Sequence, residues 1–191
     1  MNACGYDAAG EMLRSLLGSS GRGLLPPSAA AAPAHERLIR FSQRRFAPLI
    51  GLEASGFGDV GLAYVPSGCA GAASALHGEA APAGDLANGT SAPCRVHVVY
   101  HGCHQGFGVI NTTFAWHAGY NEVAEPNRIV VLYPQVRVTP LNPKGCWDWW
   151  GYTGKEYASN IGLQLTTVRR MVQAVSDGQM RAAPTNVTSR A

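Results

Sequence analysis

The sequence predicts an α/β fold, because segments typical of buried strands alternate with segments typical of helices. Residues 94–101, CRVHVVYH, are rich in β-branched residues, and residues 129–133, IVVLY, form a continuous apolar run. Such a run is typical of a strand that is buried on both faces of a parallel sheet. Residues 114–127 can form the helix that connects these two strands. A later apolar repeat predicts an amphipathic helix over one sheet face, and its members are Ile161, Leu165, Val168, Val172 and Val175.

The first element of the chain is a helix predicted over Ala8–Leu17. Asp7 can cap its amino end, and Gly18 is a natural stop for it. Its expected apolar face consists of Met12, Leu13, Leu16 and Leu17.

Three segments precede the strongest strands. Residues 38–46 fit either a helix or an edge strand, because their arginines and apolar residues suit both patterns. Residues 61–66, GLAYVP, predict a strand because turn residues bound them. Residues 69–93 are rich in Gly and Ala, and we expect a loop there.

The length of 191 residues predicts one domain, or one and a fraction, and an apolar share of 46% is enough for a core. We divide it into a helix at 1–17, a low-complexity linker at 18–34, a main body at 35–181 and a disordered tail at 182–191. No apolar run reaches the length of a membrane-spanning helix, and no signal peptide is visible in the opening residues. The mild net charge of +3 comes with scattered arginines, which argues against a nucleic-acid partner.

A His-Gly dipeptide lies within residues 100–105, YHGCHQ, at the end of the predicted strand 94–101. In α/β-hydrolases, a loop of this type after one strand donates a backbone N–H to the oxyanion of the reaction. Gly102 would let the backbone approach a substrate closely. A glycine-containing strand end with no such role is the alternative.

An aromatic cluster lies within residues 142–152, NPKGCWDWWGY, where three Trp and one Tyr occur in six residues. It fits either an aromatic mini-core or the flat wall of a substrate crevice, with Trp N–H and Tyr O–H groups as polar handles. Asp148 is flanked by Trp on both sides, and we expect it to order the loop rather than to act as a triad acid.

His97, His101, His104 and Cys103 are of residue types that bind metals. No CxxC or HExxH pattern accompanies them, and a disulfide at Cys103 would remove its thiolate. We therefore expect no metal site. No serine lies in a G-x-S-x-G pattern, the strained turn that exposes a nucleophilic hydroxyl.

Taken together, several segments resemble the polyhydroxybutyrate (PHB) depolymerase family of secreted serine esterases. They cover most of residues 4–178 in the family's order, and they read YDAAGEML, GLAYVPSGC, CRVHVVYHGCHQ, HAGYNEVAEPNRIVVLYPQ and NPKGCWDWWGYTGKEYA. The resemblance implies a circularly permuted α/β-hydrolase-like sheet with flanking helices, of which this sequence matches only the carboxy-terminal portion. The family's nucleophilic Ser and its triad Asp and His fall in the half that is not matched.

The resemblance also implies roles for individual residues. Cys103 matches the family's oxyanion donor, through its backbone N–H. Trp149 matches the tryptophan that contacts substrate, and Trp147 is a weaker candidate. The implied substrate is a polyester or a short-chain ester, with no cofactor, in an extracellular or periplasmic location. We expect the chain to be inactive alone, and a separate chain that carries the missing half would be its partner.

Cysteine pairings carried over from the family join Cys69 to Cys94 and Cys103 to Cys146. The second pair would hold the His-Gly loop against the aromatic cluster. Cys4 matches a family cysteine whose partner lies upstream, so we expect it to be an orphan thiol.

The sequence departs from the family pattern at positions that bear on substrate preference. His104 stands where the family usually has an apolar residue, and Lys144 stands where relatives often have a neutral polar one. Glu122 and Val123 follow GYN, where the family has a Trp.

Two other functions remain open from the sequence. A non-permuted feruloyl- or acetyl-esterase-like protein would place its serine after the last helix, but the YDAAGEML match and Cys4 favour the permuted arrangement. A non-catalytic polyester-binding module would use the aromatic cluster and would need no nucleophile.

Overall fold

A computed structural model describes residues 5–17, 23–27, 31–78 and 94–181. Its centre is a four-stranded mixed sheet of order β1-β2-β4-β3. The parallel pairing of β3 with β4 and the antiparallel pairing of β2 with both of its neighbours define the sheet. The strands are β1 Leu38–Ser42, β2 Val60–Tyr64, β3 Arg95–Val98 and β4 Ile129–Tyr133.

Helices flank this sheet, which confirms the α/β class at the level of a mixed sheet with helices. They are α1 Ala8–Leu17, α2 Ala70–His77, α3 Phe107–Ile110, α4 Thr113–His117, α5 Tyr120–Asn127 and α6 Leu163–Arg181. Short 3₁₀ turns occupy His35–Arg37, Gln43–Phe46, Glu53–Ser55 and Ser67–Cys69. Across the described ranges, no helix combines the length and the apolar character that crossing a bilayer requires.

Strand β4 is buried along its whole length, as its apolar run predicts. Side chains alternate between the two faces of a strand. Accordingly, Val130 and Leu132 join a core with Met171 of α6, whereas Val131 and Tyr133 join a second core on the opposite face. The two cores explain why this strand carries no charged residue and why its one hydroxyl, that of Tyr133, donates to Asn121 Oδ1 at 2.7 Å.

Strand β1 resolves the ambiguity of residues 38–46 in favour of an edge strand, followed by the 3₁₀ turn Gln43–Phe46. The expectation of a loop from residue 69 onward is wrong for Ala70–His77, which form α2. Alanine has the highest helix propensity, and Gly78, with a φ of 82°, ends the helix in the left-handed region. Residues 79–93 lie outside the described residues.

Helix α1 has the predicted bounds and the predicted cap, because Asp7 Oδ1 accepts a hydrogen bond of 2.8 Å from the Gly10 N–H. Its predicted apolar face is only partly correct. Leu13 is fully buried, but Met12 and Leu16 are exposed. The helix packs against α5, and its buried face is narrow, consisting of Ala9, Gly10 and Leu13.

The predicted connecting helix at 114–127 is instead split into α4 and α5, with α3 before them. Gly119 lies between α4 and α5 with a φ of 84°, a left-handed conformation that interrupts a right-handed helix. The final helix covers one sheet face, and Val168, Val172 and Val175 of the predicted repeat pack into the core as expected, but the repeat is wrong at its start. Ile161 precedes α6 and Leu165 is exposed on it, while Gln164 and Thr167 are buried.

Candidate functional site

The candidate site begins with the HGC loop, residues 101–105, which follows β3 near the carboxyl end of the parallel strand pair. His101 is buried, and its Nε2 accepts a hydrogen bond of 3.3 Å from the Val136 N–H. Its Nδ1 lies 2.8 Å from the Gly102 carbonyl oxygen, so Nδ1 carries the proton. Burial lowers the pKa of His101 and keeps the ring neutral. This histidine therefore ties the HGC loop to the segment after β4.

Three of the five backbone N–H groups of the HGC loop, those of Gly102, His104 and Gln105, bond other described residues. The Gly102 N–H bonds Gln105 Oε1 at 2.9 Å, and the Gln105 N–H bonds the Gly102 carbonyl at 3.1 Å. The His104 N–H bonds the Lys144 carbonyl at 2.7 Å. The Cys103 N–H makes no hydrogen bond to any residue that the structure describes, and Cys103 is exposed. It is thus free to donate to a bound group.

Two disulfides are present, with the pairings that the family resemblance implies. One joins Cys69 to Cys94, with Cα atoms 6.1 Å apart. The other joins Cys103 to Cys146, with Cα atoms 4.3 Å apart, and so fastens the HGC loop to the aromatic cluster. Cys4 lies outside the described residues.

The segment at 142–153, here called the Trp loop, is folded around Asp148. Its carboxylate accepts hydrogen bonds of 2.6–3.2 Å from four backbone N–H groups at residues 150–153, and another from the Thr153 hydroxyl. Burial acts to raise the pKa of Asp148, but the hydrogen bonds from Thr153 and its neighbours outweigh it and hold the pKa below its usual value. Asp148 orders the loop, as the sequence predicts.

A second set of polar contacts supports the Trp loop from α6, and the sequence analysis did not single it out. Gln164 Nε2 donates to the Tyr152 hydroxyl at 2.8 Å, and its Oε1 accepts from the Asp148 N–H at 2.9 Å. The Tyr152 hydroxyl donates to the Cys146 carbonyl at 3.0 Å, beside the buried amide of Asn142. Gln164 and Thr167, two polar residues on the buried side of α6, were the sequence signal that could have indicated these contacts.

The two candidate substrate tryptophans lie in different environments. Trp147 is half-buried, and its ring contacts Phe57, Tyr100 and His101 with centroids 4.7–5.6 Å apart. Trp149 is 72% exposed and meets the edge of Trp150 at 5.3 Å. The aromatic cluster is therefore both a mini-core, at Trp147, and an accessible apolar surface, at Trp149.

The suggested metal ligands do not form a cluster. His97 is half-buried against the Tyr120 ring at 5.4 Å, both polar atoms of the His101 ring are engaged, and Cys103 is in a disulfide. Within the part of the chain that the structure describes, no three His, Cys, Asp or Glu side chains come together as a metal site would require.

Beside the HGC loop, a cavity of about 230 Å³ opens between the segment after β4 and the start of α3. Its floor is held by a buried pair of glutamines that the sequence analysis missed. Gln43 Nε2 donates to the Gly58 and Gln135 carbonyls at 2.7 and 2.9 Å, and its Oε1 accepts from the Gln135 N–H at 2.9 Å. Gln135 Oε1 in turn accepts from the Phe107 N–H at 2.7 Å, at the start of α3.

No protein-family model matches the chain. Among curated proteins, it is 35% identical over 181 residues to a poly(3-hydroxybutyrate) depolymerase of Delftia acidovorans, a match that covers 95% of this chain and 31% of the relative. It is 28% identical over 186 residues to a polyhydroxybutyrate depolymerase of Talaromyces funiculosus, covering 92% of this chain and 46% of that one.

Solved structures give the same result. The crystal structure of a PHB depolymerase from Penicillium funiculosum superposes with a TM-score of 0.69 and 26% identity, covering 92% of this chain and 49% of that chain. A serine-to-alanine variant of a PHB depolymerase, complexed with an R3HB trimer, matches with the same values. In sequence and in fold the chain resembles PHB depolymerases, and it spans between about a third and a half of their length.

Proposed function

We propose that this chain forms the oxyanion-binding and substrate-binding part of a carboxylic ester hydrolase of the PHB depolymerase type. The observation that carries the proposal is the Cys103 N–H, which has no partner among the described residues and follows the parallel strand β3. A disulfide links it to the loop that presents Trp149 to solvent. A backbone donor beside an exposed aromatic surface suits an ester carbonyl within an apolar chain.

In this proposal, a serine oxygen bonds to the ester carbonyl carbon while a histidine takes its proton. The carbonyl oxygen becomes an oxyanion, and the Cys103 N–H donates to it. The leaving alcohol receives the proton from the histidine, and water then cleaves the acyl-serine. One such donor contributes about 10²- to 10³-fold in rate. Trp149 packs against the polyester chain and holds the carbonyl in place.

The serine of this reaction lies outside the 191 residues, since none of their serines has the G-x-S-x-G setting. Circular permutation would put it, with its triad partners, ahead of the segment described here, on the same chain or on a separate one. The parallel strand β3 lies at the edge of the sheet, where such a part can add strands. The two disulfides favour an oxidising location, extracellular or periplasmic.

Hydrolysis of p-nitrophenyl butyrate tests the proposal. The 191-residue chain alone should show only background hydrolysis, whereas a protein that also contains the serine-bearing part should show hydrolysis that a serine-directed inhibitor stops. Inhibitor-sensitive hydrolysis by the chain alone would contradict the placement of the nucleophile. Absence of hydrolysis in the longer protein would contradict the esterase function.

A non-catalytic polyester-binding module is the second candidate, and the exposure of Trp149 favours it. Binding to PHB granules can be compared between the wild type and Trp149→Ala. The matched control is Tyr6→Ala, since Tyr6 is also 72% exposed but lies just before α1. Binding that only Trp149→Ala weakens, in a protein that never hydrolyses esters, would favour this candidate. Equal binding by all three proteins would exclude Trp149 from polymer contact.

A further inference from the structure

We propose that the cavity beside the HGC loop binds the carboxylate-bearing end of a short hydroxyacid ester, and that Lys144 recognises its charge. The inference rests on the proposed function. It names the substrate class that this site prefers, namely oligomers with a free carboxylate rather than uncharged segments within a polymer.

The shape of the cavity suits a saturated carbon chain. Apolar side chains and glycines make up most of its lining, as is typical of pockets for small apolar ligands. Four of the lining residues are glycines, which have no side chain to occupy the space, and Val109 and Val138 are about half-exposed. The lining residues used in this argument are Gly106, Phe107, Gly108, Val136, Val138 and Gly145.

The charged groups in the lining are already neutralised. Asp59 lies 2.7 Å from Arg44, and Arg137 lies 3.2 Å from Glu53. The cavity therefore has no spare acidic group that would repel an anion, within the residues that the structure describes.

Lys144 supplies an unpaired positive charge next to this cavity. It directly precedes Gly145 of the lining, is exposed, and makes no ion pair with any described residue. Its flexible four-carbon stem allows the ammonium group to meet a ligand at the cavity mouth. A carboxylate is the group that such an ammonium attracts.

Lys144 is also held close to the proposed oxyanion donor. Its carbonyl accepts the His104 N–H at 2.7 Å, and His104 directly follows Cys103. The disulfide from Cys103 to Cys146 fixes the same two segments a second time. A chain end bound by Lys144 would thus lie near the ester carbonyl to which the Cys103 N–H donates, which favours cleavage near the carboxylate end of an oligomer.

The expected preference is modest. An exposed lysine–carboxylate contact contributes at most about 1 kcal/mol, which is roughly fivefold in affinity. Salt should weaken it, because the screening length falls from about 10 Å at 0.1 M to about 3 Å at 1 M ionic strength. Apolar contacts with the cavity do not depend on salt in this way.

Tryptophan fluorescence of the full 191-residue chain can follow binding of a 3-hydroxybutyrate trimer with a free carboxylate and of the same trimer as its methyl ester. At low salt the acid should bind roughly fivefold more tightly than the ester. Lys144→Gln should remove this preference and leave ester binding unchanged. Lys155→Gln is the matched control, since Lys155 is the other lysine of the chain, and it should keep the preference.

A cavity-filling variant tests the location independently. A Cβ at Gly108, which lines the cavity, meets no atom within 4 Å, so Gly108→Leu should fold, and its side chain at the cavity wall should weaken the binding of both ligands. The inference is overturned, with the proposed function intact, if the wild type binds both trimers equally, if Lys144→Gln keeps the preference, or if Gly108→Leu leaves both affinities unchanged. If the wild type binds neither trimer, polyester binding by this chain is wrong as well.

Discussion

Removal of the Cys103–Cys146 disulfide should harm function much more than its effect on stability explains. The bond closes a loop of 43 residues, so replacing both cysteines by serine should lower the free energy of unfolding by about 4 kcal/mol. The disulfide between Cys69 and Cys94 closes 25 residues, and the same replacement there should cost about 3.5 kcal/mol. The two double variants are therefore matched in stability, but only the first one separates the HGC loop from the Trp loop.

Urea unfolding followed by tryptophan fluorescence measures the two stabilities, and ester hydrolysis by the protein that includes the serine-bearing part measures function. Loss of Cys103–Cys146 should reduce hydrolysis by up to about a hundredfold, the lower end of what one oxyanion donor contributes. Loss of Cys69–Cys94 should leave most of the activity. Equal losses in both variants would refute the reasoning, because the disulfide would then act through stability alone.

Three further substitutions test how the site is supported. Asp148→Asn should destabilise the fold by about 2 kcal/mol at neutral pH in urea unfolding. Because the folded-state pKa of Asp148 is lowered, the wild-type advantage is complete above about pH 4 and shrinks as the pH falls through that pKa. A stability difference that does not change with pH would contradict this. Gly106→Ala should lower the melting temperature, because the new Cβ would lie 3.1 Å from the His101 ring and 3.2 Å from the Val136 carbonyl oxygen. Gly108→Ala is the control, since its Cβ meets open space, and equal melting temperatures of the two variants would contradict the reasoning. Gln43→Ala should cost about 2–4 kcal/mol, because the Gly58 carbonyl and the Gln135 N–H lose their partner while the Gln135 carbonyl keeps the Gly58 N–H. A loss below about 1 kcal/mol would show that water replaces the amide.

Local sequence patterns predicted the elements whose formation depends on neighbouring residues. The run at 129–133 gave the bounds of β4 correctly, because a strand between two apolar layers has no polar face. Asp7 predicted the start of α1, because its carboxylate bonds a backbone N–H only three residues away. Asp148 was interpreted correctly for the same reason, since all the hydrogen-bond partners of its carboxylate lie within five residues.

Local patterns failed where contacts between distant segments decide the structure. Helix α2 was taken for a loop because its small residues are also common in loops, and its stability comes from packing against α6. The predicted apolar face of α6 was wrong only in its first turn, where Gln164 turns inward to bond Ser55 and Tyr152. Ser55 is 109 residues away in sequence, so no local pattern indicates this contact. Gln43 and Gln135, separated by 92 residues, left no local signal at all.

The sequence by itself determined the strand-and-helix alternation, the motif series that resembles PHB depolymerases and the residues proposed for the site. The tertiary structure decided which of those residues can contact a bound ligand. It buried and neutralised His101, packed Trp147 into the core, exposed Trp149, and left the Cys103 N–H without a partner among the described residues. The physical reason is that hydrogen-bond satisfaction and burial depend on what each group meets across the fold, whereas a motif specifies only the group itself.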